Sequence, residues 1–326
     1  MDGTSRTPSA AMLRATAAIA EPFYSGIMRA RNRLYDAGIF RARALGRPTL
    51  SVGNITTGGT GKTPVVQWIC RQLMAEGKKP AILMRGYRKN SGDISDEQAI
   101  FQAEQIPVVA DADRSRGAAI ALERFPATDL FILDDAMQHR SAARDFELTL
   151  IHAAEPFGYQ HVFPRGLLRE PLAGLRRTGA FVITHADEAD TAPVIRTLAR
   201  FNPSAPVLKC NHVIEADLTG KRFFAFCGIG SPASFFWRLG TLGGMSVGEL
   251  AFDDHHDYTR ADVEQINAAA RSASADLLIT TVKDWVKIEK LADQFALPVM
   301  RADLSVQFHP GDGERLMEMI HQSIGR

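Results

Sequence analysis

From residue 48 onward the chain alternates short apolar runs with longer stretches of helical period. Residues 48–52, 81–84, 106–110, 130–133, 148–151 and 181–184 read as strands of four or five residues. Between them, 63–75 places Val65, Val66, Ile69, Cys70, Leu73 and Met74 on one side of a helix, and 114–125 forms another. Strands that alternate with helices predict a mostly parallel sheet covered on both faces. A second unit is expected to start near Ile214. There 221–226 is a strong strand followed by the turn Gly228-Ile229-Gly230, and 277–281 and 298–300 are later strands.

The first 47 residues carry a different pattern. Arg6, Arg14, Arg29, Arg31, Arg33, Arg41, Arg43 and Arg47 face only Asp2, Glu21 and Asp36 as acids. Met12, Leu13, Ile19, Phe23, Tyr24, Ile27, Met28, Leu34, Tyr35, Ile39 and Phe40 lie between them. A basic amphipathic helix of this kind rests in a membrane interface, its arginines meeting anionic headgroups, or packs on its own domain. The expected division is therefore an arm at 1–47, a main domain at 48–213 and a smaller C-terminal domain at 214–326.

Composition adds limits. The 326 residues are 45% apolar and 23% charged, enough for sizeable cores, and the net charge of +1 gives no argument for a nucleic-acid partner. Cys70, Cys210 and Cys227 are scattered without metal spacing and read as reduced core thiols. No apolar run reaches the roughly 18–20 residues of a spanning helix, and no signal peptide is expected.

The strongest chemical signal is Gly58-Gly59-Thr60-Gly61-Lys62-Thr63-Pro64, placed between a strand and a helix. In that context glycines turn backbone N–H groups around phosphate oxygens and the helix N-terminus adds partial positive charge. Lys62 reaches the β- and γ-phosphates, and the Thr63 hydroxyl takes Mg²⁺. Thr56 stands where the common motif has its first glycine. Asp134-Asp135, after an apolar strand, are the expected Mg²⁺ acids. The fold expected is thus a P-loop NTPase-type α/β sheet with helices on both faces, plus a smaller C-terminal α/β domain and an N-terminal amphipathic helix.

Other clusters are weaker. Arg85, after a strand tip, has the chemistry of a phosphate clamp. The loop 163–171, FPRGLLREP, mixes fixed backbone with charge as binding loops do. The run 252–258, FDDHHDY, reads as a metal cluster, as a histidine tuning a carboxylate, or as a helix start capped by Thr259. Lys283 and Lys287, at a strand-to-helix junction, face anionic groups or solvent.

In order along the chain from residue 22, these segments resemble the tetraacyldisaccharide 4′-kinase family of lipid A biosynthesis. The carriers are Val52-Gly53-Asn54 through the phosphate loop, Arg85-Gly86-Tyr87, Asp134-Asp135 with Gln138-His139, FPRGLLREP, FCGIGSP at 226–232, DHH at 254–256 and TVKDWVK at 281–287. The resemblance implies ATP and Mg²⁺ as cofactors. It implies transfer of the γ-phosphate to the 4′-hydroxyl of a tetraacylated glucosamine disaccharide 1-phosphate. It also implies a C-terminal domain closing over nucleotide and substrate, and a peripheral place on the cytoplasmic face of the bacterial inner membrane, with no obligate protein partner. Residue by residue, Lys62, Asp96 and His255 match catalytic groups, with Asp96 as the base and His255 its support. Gly58, Gly59, Thr60, Gly61, Lys62 and Thr63 match the nucleotide loop. Thr63, Asp134, Asp135 and Glu170 match metal-proximal groups, and Arg85, Gln138 and His139 match substrate or supporting positions. Ala136 stands where the family has glycine, so its turn has to avoid a glycine-only conformation. The segment 95–98, SDEQ, lacks the family's glycine and proline. The alternative weighed against this reading is a membrane-associated switch ATPase, which needs a lysine where Thr57 stands. A phosphoesterase of the DHH type and a GTPase fit less of the chain.

Overall fold

The computed structural model describes residues 8–86, 96–214, 216–230, 232–254 and 256–325. His255 and residues 87–95 therefore lie outside what is described.

Helix α1 spans Pro8–Asp36. Strand β1 (Thr49–Asn54) leads through the phosphate loop into α2 (Lys62–Ala75), followed by β2 (Pro80–Met84), α3 (Asp96–Ala103) and β3 (Val108–Ala110). Then come α4 (Arg114–Arg124), β4 (Leu130–Asp134), β5 (Phe146–His152), β6 (Ala180–Thr184), α5 (Ala192–Phe201) and β7 (Val207–Ile214). The remainder is β8 (Arg222–Cys227), α6 (Pro232–Gly240), β9 (Met245–Ala251), α7 (Arg260–Ser272), β10 (Leu277–Thr281), α8 (Val282–Ile288), β11 (Val299–Ala302), β12 (Leu304–Phe308) and α9 (Asp312–Ile324).

Contacts divide the chain into two compact units. The first holds α1 up to Gly86, then Pro107–Asn211, and the stretch from Phe308; the second holds α3 up to Ile106 and His212–Gln307. The division after Asn211 lies two residues from the expected boundary at 213, but α1 belongs with the first unit, α3 joins the second, and the stretch from Phe308 returns to the first.

The larger sheet runs β12-β7-β6-β5-β1-β4-β2-β3. Every pairing from β3 to β7 is parallel, as the strand–helix alternation predicts. Its central strands are apolar on both sides because both faces are covered. One face packs Ile55, Met137, Phe181, Ile183 and Leu198; the other packs Ala81, Leu83, Ala118, Phe131 and Leu133. The second unit is a parallel sheet in the order β11-β10-β8-β9. Phe223, Ala225 and Ile279 are buried on one side of it and Phe224, Phe226 and Leu278 on the other.

One register positions the chemistry. Val52 of β1 lies opposite Asp134 of β4, so the start of the phosphate loop and the acids after β4 leave the sheet side by side. Gly53 allows the close approach: a Cβ there would sit 2.7 Å from Met137 Cβ and backbone N. All three cysteines are free and buried, as expected of core thiols. No described helix is long and apolar enough to cross a membrane.

Candidate active site

Gly61 caps α2 in the left-handed region, φ 68°, which glycine enters without the Cβ penalty. No side chain caps this helix end. Its first N–H groups are left for an anion, where the helix dipole favours negative charge. Gly58 and Gly59 face open space, so backbone lines the loop. Thr60 is buried, and its carbonyl accepts a hydrogen bond from the Thr184 hydroxyl at 3.0 Å, tying the loop to the end of β6. Thr63 stands in the first turn of α2.

Lys62 reaches back across the loop. Its Nζ donates to Asn54 Oδ1 at 3.1 Å and pairs with Asp135 Oδ1 at 3.3 Å. Arg169 Nη1 donates to both Asp135 oxygens, at 2.8 and 2.9 Å. Burial pushes the Asp135 carboxyl up, but Lys62 and Arg169 outweigh it and hold the group below the usual carboxylate range. Asp135 itself is left-handed, φ 52°, a conformation Asp tolerates better than most residues. The turn after β4 takes its positive φ there and not at Ala136, which is how alanine fits where the family has glycine.

Beneath these groups lies a buried cationic layer. Arg114, 2% exposed, donates to the Asp111 carbonyl and to the carbonyl of Asp134. His139 is pushed down to about 4 by burial and by the nearby charges of Arg114, Arg144 and Arg31. It is neutral at physiological pH, and its Nε2 meets the Ser141 hydroxyl at 3.1 Å.

Glu170, expected among the metal-proximal groups, is held here by protein donors. Its carboxylate is fully buried. It receives both terminal nitrogens of Arg177, Nε2 of Gln138 at 3.0 Å and Nδ2 of Asn32 at 2.7 Å. Four donors fill the acceptor positions of one carboxylate, so Glu170 is a strut of the site. Burial pushes its carboxyl up, but Arg177, Asn32 and Gln138 more than offset this and keep it ionised. Gln138 also donates to the carbonyl of Asn54 at 3.1 Å, joining strut and phosphate loop. The loop before Glu170 closes on the same place: Thr57 N–H donates to the Leu167 carbonyl and Arg169 N–H to the Ile55 carbonyl.

The first unit thus gathers Lys62, Thr63, Asp134, Asp135, Gln138, His139 and Glu170, with Arg85 exposed just beyond β2. Asp96 is the first residue of α3, in the second unit. Asn54, Arg169, Arg177, Arg114 and Asn32 were not singled out from the sequence. Asn54 and Arg169 did lie inside quoted motifs, which was the available signal.

In the second unit, the run around His256 is a helix start. Thr259 and Asp262 form a reciprocal cap on α7, and His256 Nε2 meets Asp262 at 3.2 Å. Lys283 pairs with Glu97 at 3.6 Å, and Lys287 donates to the His256 carbonyl.

The model of the tetraacyldisaccharide-1-P 4′-kinase family, LpxK, matches residues 13–324. The chain belongs to this family. A tetraacyldisaccharide 4′-kinase of Geobacter metallireducens is 37% identical over 297 residues, covering 81% of this chain and 86% of that one. One from an Anaeromyxobacter species (strain Fw109-5) is 34% identical over 319 residues, covering 88% and 85%. The crystal structure of Aquifex aeolicus LpxK in complex with ATP superposes with a TM-score of 0.75 at 28% identity, over 96% of this chain and 99% of that one. In this family member the phosphate loop, Asp135 and the FPRGLLREP loop form one hydrogen-bonded body.

Proposed function

We propose that the chain transfers the γ-phosphate of ATP to the 4′-hydroxyl of a tetraacylated glucosamine disaccharide 1-phosphate, a late step of lipid A biosynthesis. The acceptor is held in the cytoplasmic leaflet of the bacterial inner membrane. The family match and the named relatives support the reaction, and the ATP complex of the A. aeolicus protein supports the donor. The observation that carries the reading is the pairing of Lys62 with Asp135, directly beside an uncapped, glycine-led helix start.

Phosphoryl transfer asks a protein mainly for positioning and for positive charge where negative charge builds. The α2 N–H groups and Lys62 take the phosphates. Asp135 and Asn54 hold the Lys62 ammonium over the loop. Thr63, Asp134 and Asp135 are an all-oxygen donor set of the kind a hard cation prefers. They would hold Mg²⁺, which neutralises phosphate charge when bound. Asp96 takes the proton of the sugar hydroxyl, with His255 supporting it; the motif match is the ground for both. Arg85 is assigned to anionic groups of the ligands.

Membrane engagement is assigned to α1. Met12, Ile19, Phe23 and Ile27 are 72%, 68%, 72% and 66% exposed. At 100° per residue they fall within one sector of roughly 80°. An apolar stripe on a helix bearing Arg14, Arg29 and Arg33 fits an anionic lipid surface.

The test is transfer from γ-labelled ATP to the lipid acceptor in detergent micelles. Label in the lipid that disappears with Lys62→Ala is the expected result. ATP hydrolysis without lipid labelling would favour the switch ATPase instead. Asp96→Ala should cut kcat about 100-fold or more while ATP affinity changes little; an unchanged kcat removes Asp96 from the mechanism.

A further inference from the structure

The face of α1 opposite its exposed stripe reaches into the site. Glu21, Tyr24, Ser25, Met28 and Asn32 recur at helical spacing on this inner side. Tyr24 packs against the core of the first unit and edge-on to Phe163, and its hydroxyl donates to the carbonyl of Arg169 at 3.0 Å. Two turns on, Asn32 Nδ2 donates to Glu170 Oε2 at 2.7 Å. The helix therefore holds two neighbouring points of the loop, the Arg169 carbonyl through Tyr24 and the Glu170 carboxylate through Asn32. Arg169 is the residue whose guanidinium orients Asp135. The grip is reinforced in return: Arg140 donates to the Asn32 carbonyl at 3.0 Å and to Asp36 at 2.7 Å, and Arg31 donates to the Gln138 carbonyl.

We propose that Asn32 is a positioning residue for phosphoryl transfer: through Glu170 it fixes Arg169, and through Arg169 the orientation of Asp135. This rests on the assignment of Asp135 to the reaction. Three features set Asn32 apart from ordinary packing. Its partner is a fully buried, ionised carboxylate. Such a group tolerates loss of a donor poorly and recovers by turning toward another. The turn available to Glu170 displaces Gln138, which also holds the Asn54 carbonyl and, through Asn54, the partner of Lys62. Finally, Asn32 Oδ1 is buried without a hydrogen-bond partner among the described residues, so Glu170 alone sets the orientation of the amide. On this account α1 is part of the catalytic apparatus as well as an anchor, and its two faces separate in experiment.

The experiment measures kcat, both KM values and vesicle binding of the full chain for wild type, Asn32→Ala and Tyr24→Phe. A Phe23→Ser/Ile27→Ser double variant represents the outer face. Asn32→Ala should lower kcat about 10- to 100-fold, the range seen when outer-shell partners of such sites are removed. KM for ATP and vesicle binding should stay within about twofold of wild type. In a Glu170→Gln background the same substitution should add little, because residues acting through one another are not additive. The outer-face variant should lose vesicle binding. A wild-type kcat for Asn32→Ala, a change confined to vesicle binding or acceptor KM, or full additivity with Glu170→Gln would overturn the proposal. Should Asn32→Ala fail to fold by circular dichroism, Tyr24→Phe decides: a several-fold fall in kcat supports the proposal and an unchanged kcat refutes it. Asp135→Asn separates the two levels. If it leaves lipid phosphorylation intact, the assignment of the site fails; if it abolishes the reaction while Asn32→Ala does not alter it, only the role of Asn32 fails.

Discussion

Gly53 and His139 show how single residues hold the site under constraint. A methyl at Gly53 would meet the backbone of Met137 at 2.7 Å, and the backbone of this buried turn cannot swing aside as a side chain can. Gly53→Ala should cost about 1–3 kcal/mol in denaturant unfolding and should lower activity by pushing Met137 and Gln138 away from Asn54. An unfolding midpoint equal to wild type would show that the turn after β4 moves away freely. His139 is half-buried as the neutral ring, with its folded value about 4 against about 6.5 when unfolded. Between these values the unfolded chain binds the extra proton, so stability should fall as pH drops from 6.5 toward 4. The loss is roughly 1–2 kcal/mol once the solvent-facing part of the ring is allowed for. His139→Gln should flatten that part of the stability profile; an unaltered slope would place the titration elsewhere. Lys62 and the acids after β4 were legible because loop chemistry there is local in sequence. The bonds of Arg169 to Asp135 and of Asn32 to Glu170 span 34 and 138 residues. No short-range pattern encodes such pairings, and so the donors around Glu170 were not legible.

At the level of elements, α1 combines two readings that stood as alternatives. The arginine bias and apolar residues fit either a membrane helix or a helix packed on its own domain. The structure shows one face packed and bonded and the other exposed. Replacing Phe23 and Ile27 by serine should weaken partition into anionic vesicles roughly tenfold per residue, read by flotation. Binding of wild type should also weaken as salt rises; salt-insensitive binding would argue against arginine–headgroup attraction. The central strands were legible as apolar runs, a consequence of burial on both faces. Others were not. Strand β9 is half-exposed and carries Gly248, and β12 is short and mixed in character. α3 begins in a charged stretch that read as loop. Helix α7 was placed within a residue by Thr259, because a capping box is written in four consecutive residues.

Across the whole molecule, the alternation of strand and helix announced the mostly parallel sheet of the first unit and a smaller α/β unit after it, since parallel pairing needs a crossover between strands. It did not announce that α3 is lent to the second unit from between two strands of the first, because contact partners and sequence neighbours are different things. The exposed stripe of α1 has a kinetic meaning as well. An enzyme seated on a surface meets its acceptor in two dimensions, and what it senses is the acceptor's share of the surface, not its amount per litre. Adding inert detergent at constant total acceptor should therefore slow the wild type by dilution within the micelle, whereas the Phe23→Ser/Ile27→Ser variant should follow bulk concentration more closely.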